Sequence, residues 1–261
     1  MPDATIRIRR IPILAERLAA LSGAERDFLF LSGHILNEIN SLNKVFAWCL
    51  NSHSGDSETN IKSVANGVQS LIYARVLAGK LWEAWASLSP AWFGPKLSTS
   101  IAPLLHKDAA ASLAALKKYF NNNSNSIYRV RNSFAFHYSA SELGANWESA
   151  TEGAHLEVLL GGTVGNNLNL AAELVANSAV FKAIDSTGPE AGLKTFFSDV
   201  QTVYSHFTNF FEGATVVLLE KALGGQLGDH GYEVNVAVGQ SYSEVQLPYF
   251  CAPDRDSSSG P

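Results

Sequence analysis

Cysteine is scarce in this sequence: Cys49 and Cys251 are its only two copies, too few for a disulfide framework and not spaced as a metal knuckle. Long apolar runs are also missing, since no stretch approaches the roughly 18 uninterrupted apolar residues of a membrane span. The first residues lack the charged-then-apolar plan of a secretory signal. We therefore expect a soluble, cytoplasmic protein that is not exported.

Charge is in short supply as well, at 16% of the 261 residues against the roughly 25% typical of soluble domains. The formal net charge of −5 argues against a broad surface for nucleic acid, which would be basic, but it leaves room for a small local site. The apolar fraction of 46% is enough to bury a substantial core. A surface so poor in charge favours partial cover by a second copy of the chain, so we expect a homodimer.

Helix-start signals and apolar periodicity predict a mainly α, up-and-down bundle of about five helices. Ser22-Gly23-Ala24-Glu25 is a capping box, Asp108 suits an N-cap, and Thr187-Gly188-Pro189-Glu190 is a second capping signal. Ser89-Pro90 predicts a helix end, because the residue before a proline is pushed out of the helical region. The predicted helices span about 22–50, 58–88, 109–120, 126–139 and 190–223.

The last of these helices carries more aromatic residues than one buried face needs. Either it is covered on two sides or it contributes to a dimer contact.

Short stretches of alternating or apolar residues predict a small β element. Residues 155–160 and 168–175 flank a glycine-rich turn, which predicts a β-hairpin inserted at about 154–176. The opening strand, residues 5–9, is available to pair with this insert, and residues 232–245 predict a further strand or two. We therefore expect a helical domain over 1–224 and a C-terminal extension over 225–261 that is partly β with a disordered end.

The densest chemistry lies in Ser126–Ser139, where Arg131-Asn132 is followed by four mostly apolar residues and then His137 and Tyr138. Arginine can grip phosphate oxygens with its forked donors, and histidine exchanges a proton near neutral pH. On a regular helix Arg131 and His137 point about 120° apart. They can converge on one substrate if the helix bends or if a second copy supplies the missing group. The alternative is that Arg131 pairs with an acid and His137 packs among aromatic rings.

This Arg-Asn-x-x-x-x-His run resembles the signature of the HEPN (higher eukaryotes and prokaryotes nucleotide-binding) superfamily. The resemblance implies a dimeric helical bundle that cleaves RNA by 2′-hydroxyl attack, without metal or other cofactor. Arg131 would hold the phosphate, His137 would act as acid or base, and Asn132 would orient one of them. Tyr138 follows His137 directly, which departs from the longer toxin-type pattern.

The same resemblance implies RNA or a nucleotide as ligand and a role in defence or stress response, with an antitoxin or another protein as partner. Lys118, Arg129 and Tyr138 lie close to the motif in sequence and are candidate substrate-binding residues. The competing hypothesis is a non-catalytic HEPN-like module that binds RNA, a nucleotide or a protein.

Two further polar groupings carry hypotheses. Glu38 and Arg75 lie on the apolar stripes of the first two helices, and folding the hairpin about its loop predicts a buried ion pair between them. His34 and Glu38 are four residues apart, which can present two metal ligands on one helix face. A site built from His34, His106 and His137 would make the chain a metal-dependent bundle enzyme, a minor alternative.

Overall fold

The computed structural model describes residues 4–52, 60–132, 140–151 and 156–252. Within them the chain forms a mainly helical bundle with a small antiparallel sheet, as the sequence predicts. In chain order the elements are β1 (Ala4–Arg10), α1 (Gly23–Asn51), α2 (Ile61–Phe93), α3 (Leu97–Ser100), α4 (Lys107–Phe120), α5 (Ser126–Val130), α6 (Ala140–Thr151), α7 (Leu170–Ile184), α8 (Pro189–Leu223) and β2 (Tyr232–Val238).

The N-terminus of α1 is fixed by the predicted capping box. Ser22 Oγ accepts from the Glu25 amide at 3.3 Å, and Glu25 Oε2 accepts from the Ser22 amide at 2.8 Å. Glu25 is buried and also accepts from Lys221 Nζ of α8 at 2.7 Å and 2.8 Å. The capping residue therefore also ties the start of α1 to the end of α8.

The end of α2 differs from the prediction, because the helix continues past Pro90 to Phe93. Proline removes one backbone donor and normally ends or kinks a helix. Here the continuation buries Trp92 completely, with its ring 4.9 Å from that of Phe28 and 5.0 Å from that of Phe210. Burial of one large aromatic side chain is worth several times the ~1 kcal/mol of a hydrogen bond, which explains why the helix persists.

The core centres on α8, which packs against α1, α2, α4, α5 and α7. Its buried residues include Phe196, Val200, Val203, Phe207, Phe210 and Phe211. The remaining aromatics are also in contact: Phe197 stacks on Phe46 at 5.7 Å, and Tyr204 OH donates to Asn40 of α1 at 2.9 Å. The aromatic excess of this helix is thus used within one copy of the chain, on more than one side.

The starts of α8 and α4 lie close to their predicted positions, but the residues that cap them are not the predicted ones. Gly188 is the N-cap of α8 and offers no side chain, while Thr187 instead donates to Asp185 from its amide and its hydroxyl. The N-cap of α4 is His106, whose Nδ1 accepts from the Ala109 amide at 3.3 Å, rather than Asp108.

The sheet pairs the first strand with a strand that follows α8. β1 and β2 are antiparallel, with register from Ala4↔Val238 to Arg10↔Tyr232. Of the insert predicted at 154–176, residues 156–176 are described, and among them a single antiparallel bridge pairs Leu159 with Leu168. The strand expected over 168–175 is wrong: Asn169 caps α7 by accepting from the Ala172 amide, and the Leu-Ala-Ala-Glu-Leu run that follows has high helix propensity.

The C-terminal extension returns to the helices as an irregular strap after β2. The Leu247 amide donates to Ser52 Oγ at 2.8 Å, and the Tyr249 amide donates to Asn66 Oδ1 at 2.9 Å. Cys251 and Asn166 exchange two hydrogen bonds, of 3.0 Å and 2.8 Å. The expected disordered end, residues 254–261, lies outside the described residues. In the part of the chain that is described, no helix is both long and apolar enough to span a bilayer.

Candidate functional site

The motif begins on α5, a five-residue helix held between α2 and α8. Asn125 caps it by accepting from the Tyr128 amide at 2.8 Å, which confirms that the polar loop supplies the N-cap. The Tyr128 ring packs edge-on against Trp82 of α2, with centroids 4.9 Å apart. The helix continues as a π-helical turn at Arg131 and Asn132, a wider geometry that is common at functional sites.

Arg131 makes hydrogen bonds to side chains that include Glu83 and Asn132. Its Nε and Nη2 both donate to Glu83 Oε1 of α2, at 3.0 Å and 2.9 Å, and its Nη1 donates to Asn132 Oδ1 at 2.9 Å. The Arg131 side chain is 27% exposed and that of Glu83 is 46% exposed. The guanidinium plane is therefore held at the protein surface, with Asn132 as one of its hydrogen-bond acceptors.

His137 and Tyr138, the rest of the motif, lie outside the described residues. No distance therefore relates them to Arg131. Their roles stay predictions from the sequence.

Lys118 and Arg129 both lie next to the 121–126 loop, close to Ser124. Arg129 is exposed, and its Nε donates to the Ser124 carbonyl at 3.2 Å. Lys118 is exposed at the end of α4 and lines a cleft of about 520 Å³ together with Ser124. The structure brings these two predicted substrate-binding residues to one loop, and no contact joins either of them to Arg131 within the described part of the chain.

The wall of this cleft contains a polar network that the sequence analysis missed. Asp199 Oδ2 of α8 accepts from Tyr119 OH at 2.8 Å and from Ser126 Oγ at 2.7 Å, and the two hydroxyls are 3.2 Å apart. Burial and the neighbouring Asp199 charge raise the pKa of Tyr119 well above its usual range, so the phenol stays protonated and donates. A sequence signal did exist, because Asp199 lies on the apolar stripe of α8, between Phe196 and Val203.

His206 lies further along α8 in the same cleft. Its Nδ1 is 3.3 Å from Ser112 Oγ of α4. Burial lowers the pKa of His206, so the ring is neutral at pH 7.

The predicted ion pair between Glu38 and Arg75 is wrong, since each group pairs elsewhere. Arg75 donates to Glu173 at 2.8 Å and to Asn177 at 3.3 Å, both on α7, whereas Glu38 accepts from Lys80 at 3.1 Å. The helix register explains the difference: Glu38 stands level with Lys80, and Arg75 points about 140° away around α2. Arg75 therefore faces α7, and its partner Glu173 lies in the segment that was predicted to be a strand.

The metal alternative gains no support from the described residues. His34 lies beside Glu38 on α1 at 3.9 Å, and His106 caps α4 beside Gly213 of α8. His137, the third proposed ligand, is outside the described ranges. Among the residues that are described, no three His, Cys, Asp or Glu side chains converge as a metal site would require.

Comparison with known proteins gives no relative: no family model matches the chain, and no curated protein or solved structure matches it.

Proposed function

We propose that the chain is an HEPN-like endoribonuclease that cleaves RNA without metal and acts as a homodimer. The observation that carries the proposal is the anchoring of Arg131 between Glu83 and Asn132. A guanidinium held in one orientation presents its planar donors to a phosphate with less loss of side-chain freedom than a mobile one. The mainly helical fold is consistent with the resemblance.

In the proposed reaction, neutral His137 of one copy removes the proton from a ribose 2′-hydroxyl. The 2′-oxygen then forms a bond to the adjacent phosphorus, and the bond from phosphorus to the 5′-oxygen breaks. Protonated His137 of the other copy gives its proton to that leaving oxygen. Arg131 stabilises the negative charge that builds up on the phosphoryl oxygens. The products are a 2′,3′-cyclic phosphate and a free 5′-hydroxyl.

The remaining predicted binding groups extend the contact. Lys118 and Arg129 would attract the backbone of the same RNA at the 121–126 loop, and Tyr138 would stack on a base. A local basic patch of this kind is compatible with the net charge of −5. A role in defence or stress response, with an antitoxin or other protein as partner, and a cytoplasmic location belong to the same proposal.

The test is cleavage of a mixed RNA pool by the wild-type protein and by His137→Ala, each with and without EDTA. His34→Ala is the matched control, because it removes an exposed imidazole on α1. We expect EDTA-resistant cleavage that leaves cyclic phosphate ends, is lost in His137→Ala and persists in His34→Ala. Cleavage that EDTA abolishes, or that needs His34, would replace this proposal with the metal-dependent enzyme.

A second candidate, a non-catalytic HEPN-like module that binds RNA, a nucleotide or a protein, is favoured by one observation. Glu83 already neutralises Arg131, so a phosphate must compete with a carboxylate for the same guanidinium. An absence of cleavage together with saturable binding of RNA would establish this candidate instead. Gel filtration with light scattering tests the homodimer independently of either activity.

A further inference from the structure

An exposed apolar segment lies in the chain between α6 and α7. Its aliphatic side chains Leu156, Val158, Leu160 and Val164 are 49%, 55%, 79% and 87% exposed. Single exposed aliphatic residues are ordinary on a protein surface. Several of them close together in the chain, at this degree of exposure, mark a surface that another molecule covers.

One edge of this segment is paired with the residues that lead into α7. The Leu159 amide donates to the Leu168 carbonyl at 2.8 Å, and the Leu168 amide donates back to the Leu159 carbonyl at 2.9 Å. The Ala171 amide donates to the Glu157 carbonyl at 3.0 Å. Residues 157 and 159 therefore direct their backbone groups to the same side, as alternate residues of an extended chain do.

The opposite edge of the segment is free. By the same alternation, Leu156, Val158 and Leu160 direct their amides and carbonyls away from Leu168. Within the described residues, none of these three makes a backbone hydrogen bond. A helix has already used its own backbone groups, and lipid tails offer neither donors nor acceptors. The free edge therefore fits an extended chain that adds a strand to it.

The sequence of this edge is complementary to itself. In antiparallel pairing about a two-fold axis at Val158, Leu156 lies opposite Leu160 of the partner subunit, and Val158 lies opposite its own copy. Glu157 is the one charged residue of 156–160, and it lies opposite Leu159 of the partner subunit. The pairing therefore matches aliphatic side chains and opposes no like charges.

The exposed strand β1 lacks this property. A two-fold axis at Ile8 would set Arg7 opposite Arg9 of the partner subunit, and like charges directly opposite each other are destabilising. Charge thus favours the 156–160 edge over β1 as a place where two copies pair.

We infer that residues 156–160 are the contact surface of a homodimer, in which the free edges of two copies pair as antiparallel strands about Val158. Each opposed pair of outward residues exchanges two backbone hydrogen bonds. The four exposed side chains offer at most roughly 1,000 Å² over both copies, the lower limit of specific interfaces, so we expect a dissociation constant in the micromolar range. The inference rests on the proposed function for the homodimer, whose surface it names, and not for the cleavage of RNA.

The test is sedimentation velocity of the full-length protein, without RNA, over a roughly hundredfold range of concentration around that constant. We expect a reversible monomer–dimer equilibrium. Val158→Lys opposes two ammonium groups at the axis and should weaken association about tenfold or more. The matched control is Val236→Lys, which makes the same change at a valine of β2 that is 43% exposed, and it should leave association unchanged.

A charge exchange tests the two-fold axis itself. The Val158→Glu protein alone should also associate weakly, whereas an equimolar mixture of the Val158→Lys and Val158→Glu proteins should associate again, more strongly at low salt. Recovery in the mixture requires residue 158 to lie opposite its own copy. A mixture that associates no better than either variant alone would overturn the inference, as would a wild-type protein that stays monomeric throughout.

Disulfide trapping replaces the charge exchange should the charged variants fail to fold. Val158→Cys is made together with Cys251→Ser, which removes an exposed thiol, while Cys49 is buried. Cα atoms of a hydrogen-bonded antiparallel pair are about 5.5 Å apart, which suits a disulfide. Oxidation should give a covalent dimer that the Cys251→Ser protein alone does not form, and equal yields from the two proteins would contradict the pairing.

A lipid surface is the competing occupant of the patch. Binding of the wild-type protein to vesicles of phosphatidylcholine and phosphatidylglycerol, together with sedimentation as a monomer, would assign the patch to a membrane and overturn the inference.

Cleavage of RNA by the same proteins separates this inference from the proposed function. A ribonuclease whose dimer survives Val158→Lys would retain the activity and remove this edge as the contact. A dimer that Val158→Lys dissociates, in a protein that cleaves no RNA, would retain the edge and remove the ribonuclease.

Discussion

Neutralising Glu83 should increase the affinity of the protein for RNA. Glu83→Gln keeps an oxygen that can accept from Nε and Nη2 of Arg131, so the guanidinium stays in place while the competing negative charge disappears. Two unit charges about 4 Å apart attract by ~1 kcal/mol in water and by ~4 kcal/mol at an effective dielectric constant of ~20. Because both side chains are partly exposed, at 27% and 46%, the pair belongs near the lower end, where measured pairs contribute about 0.2–1 kcal/mol.

The expected gain is therefore about fivefold in affinity, which corresponds to ~1 kcal/mol. The assay is anisotropy of a 2′-O-methyl octamer at 50 mM and 500 mM NaCl, and the gain should shrink at high salt because screening is stronger there. Glu38→Gln is the matched control, because it makes the same change in net charge and also releases a cation on α2, Lys80. If the Glu83→Gln protein binds the octamer no better than the Glu38→Gln protein does, Arg131 does not contact phosphate.

Two predictions concern stability. Burial alone would raise the pKa of Glu25, but the hydrogen bonds with Lys221 and Ser22 together outweigh it and lower that pKa. The stability that Glu25 contributes is therefore present above the unfolded pKa and is lost as pH falls through the folded pKa. Glu25→Gln should cost about 1–2 kcal/mol in urea unfolding at pH 7, and progressively less as the pH is lowered through the folded pKa. A Cβ at Gly192 would lie 2.0 Å from the Phe181 carbonyl oxygen, so Gly192→Ala should destabilise the protein by about 1–3 kcal/mol. Gly33 has open space around it, so Gly33→Ala should stabilise the protein by about 0.5–1 kcal/mol. Both changes are measured by thermal and urea unfolding. A pH-independent effect at Glu25, or equal effects at the two glycines, would contradict these arguments.

Three helix boundaries, the start of α1 and both ends of α8, could be predicted because their causes are local. The capping box at Ser22 and the glycine that ends α8, Gly224 with φ of 73°, act within one turn of the chain, so a short window of sequence contains the whole signal. The start of α8 was placed within one residue for the same reason, since Pro189 suits a first helical turn whichever group caps it.

Segment 168–175 could not be assigned by pattern alone. Its apolar residues fit a short strand as well as a helix, and the signals that favour the helix are the Asn169 cap and the high helix propensity of the Leu-Ala-Ala-Glu-Leu run. The helix packs Phe181 against Phe196 of α8, with ring centroids 6.0 Å apart, and it presents Glu173 to Arg75. Because a strand was predicted where this helix forms, the partner of Arg75 was missed together with the helix.

The polar sites were only partly predictable because α5 assembles them from distant parts of the chain. Arg131, just past its last residue, is bound by Glu83 of α2, while Ser126, its first residue, is bound by Asp199 of α8. Along the α5 axis these two contacts are only about 7.5 Å apart. Their partners, Glu83 and Asp199, nevertheless lie far apart in the sequence. The sequence motif could identify Arg131 and Asn132 because the two residues are consecutive in the chain. It could not point to Glu83 or Asp199, whose relation to α5 exists only once α2 and α8 have packed around it.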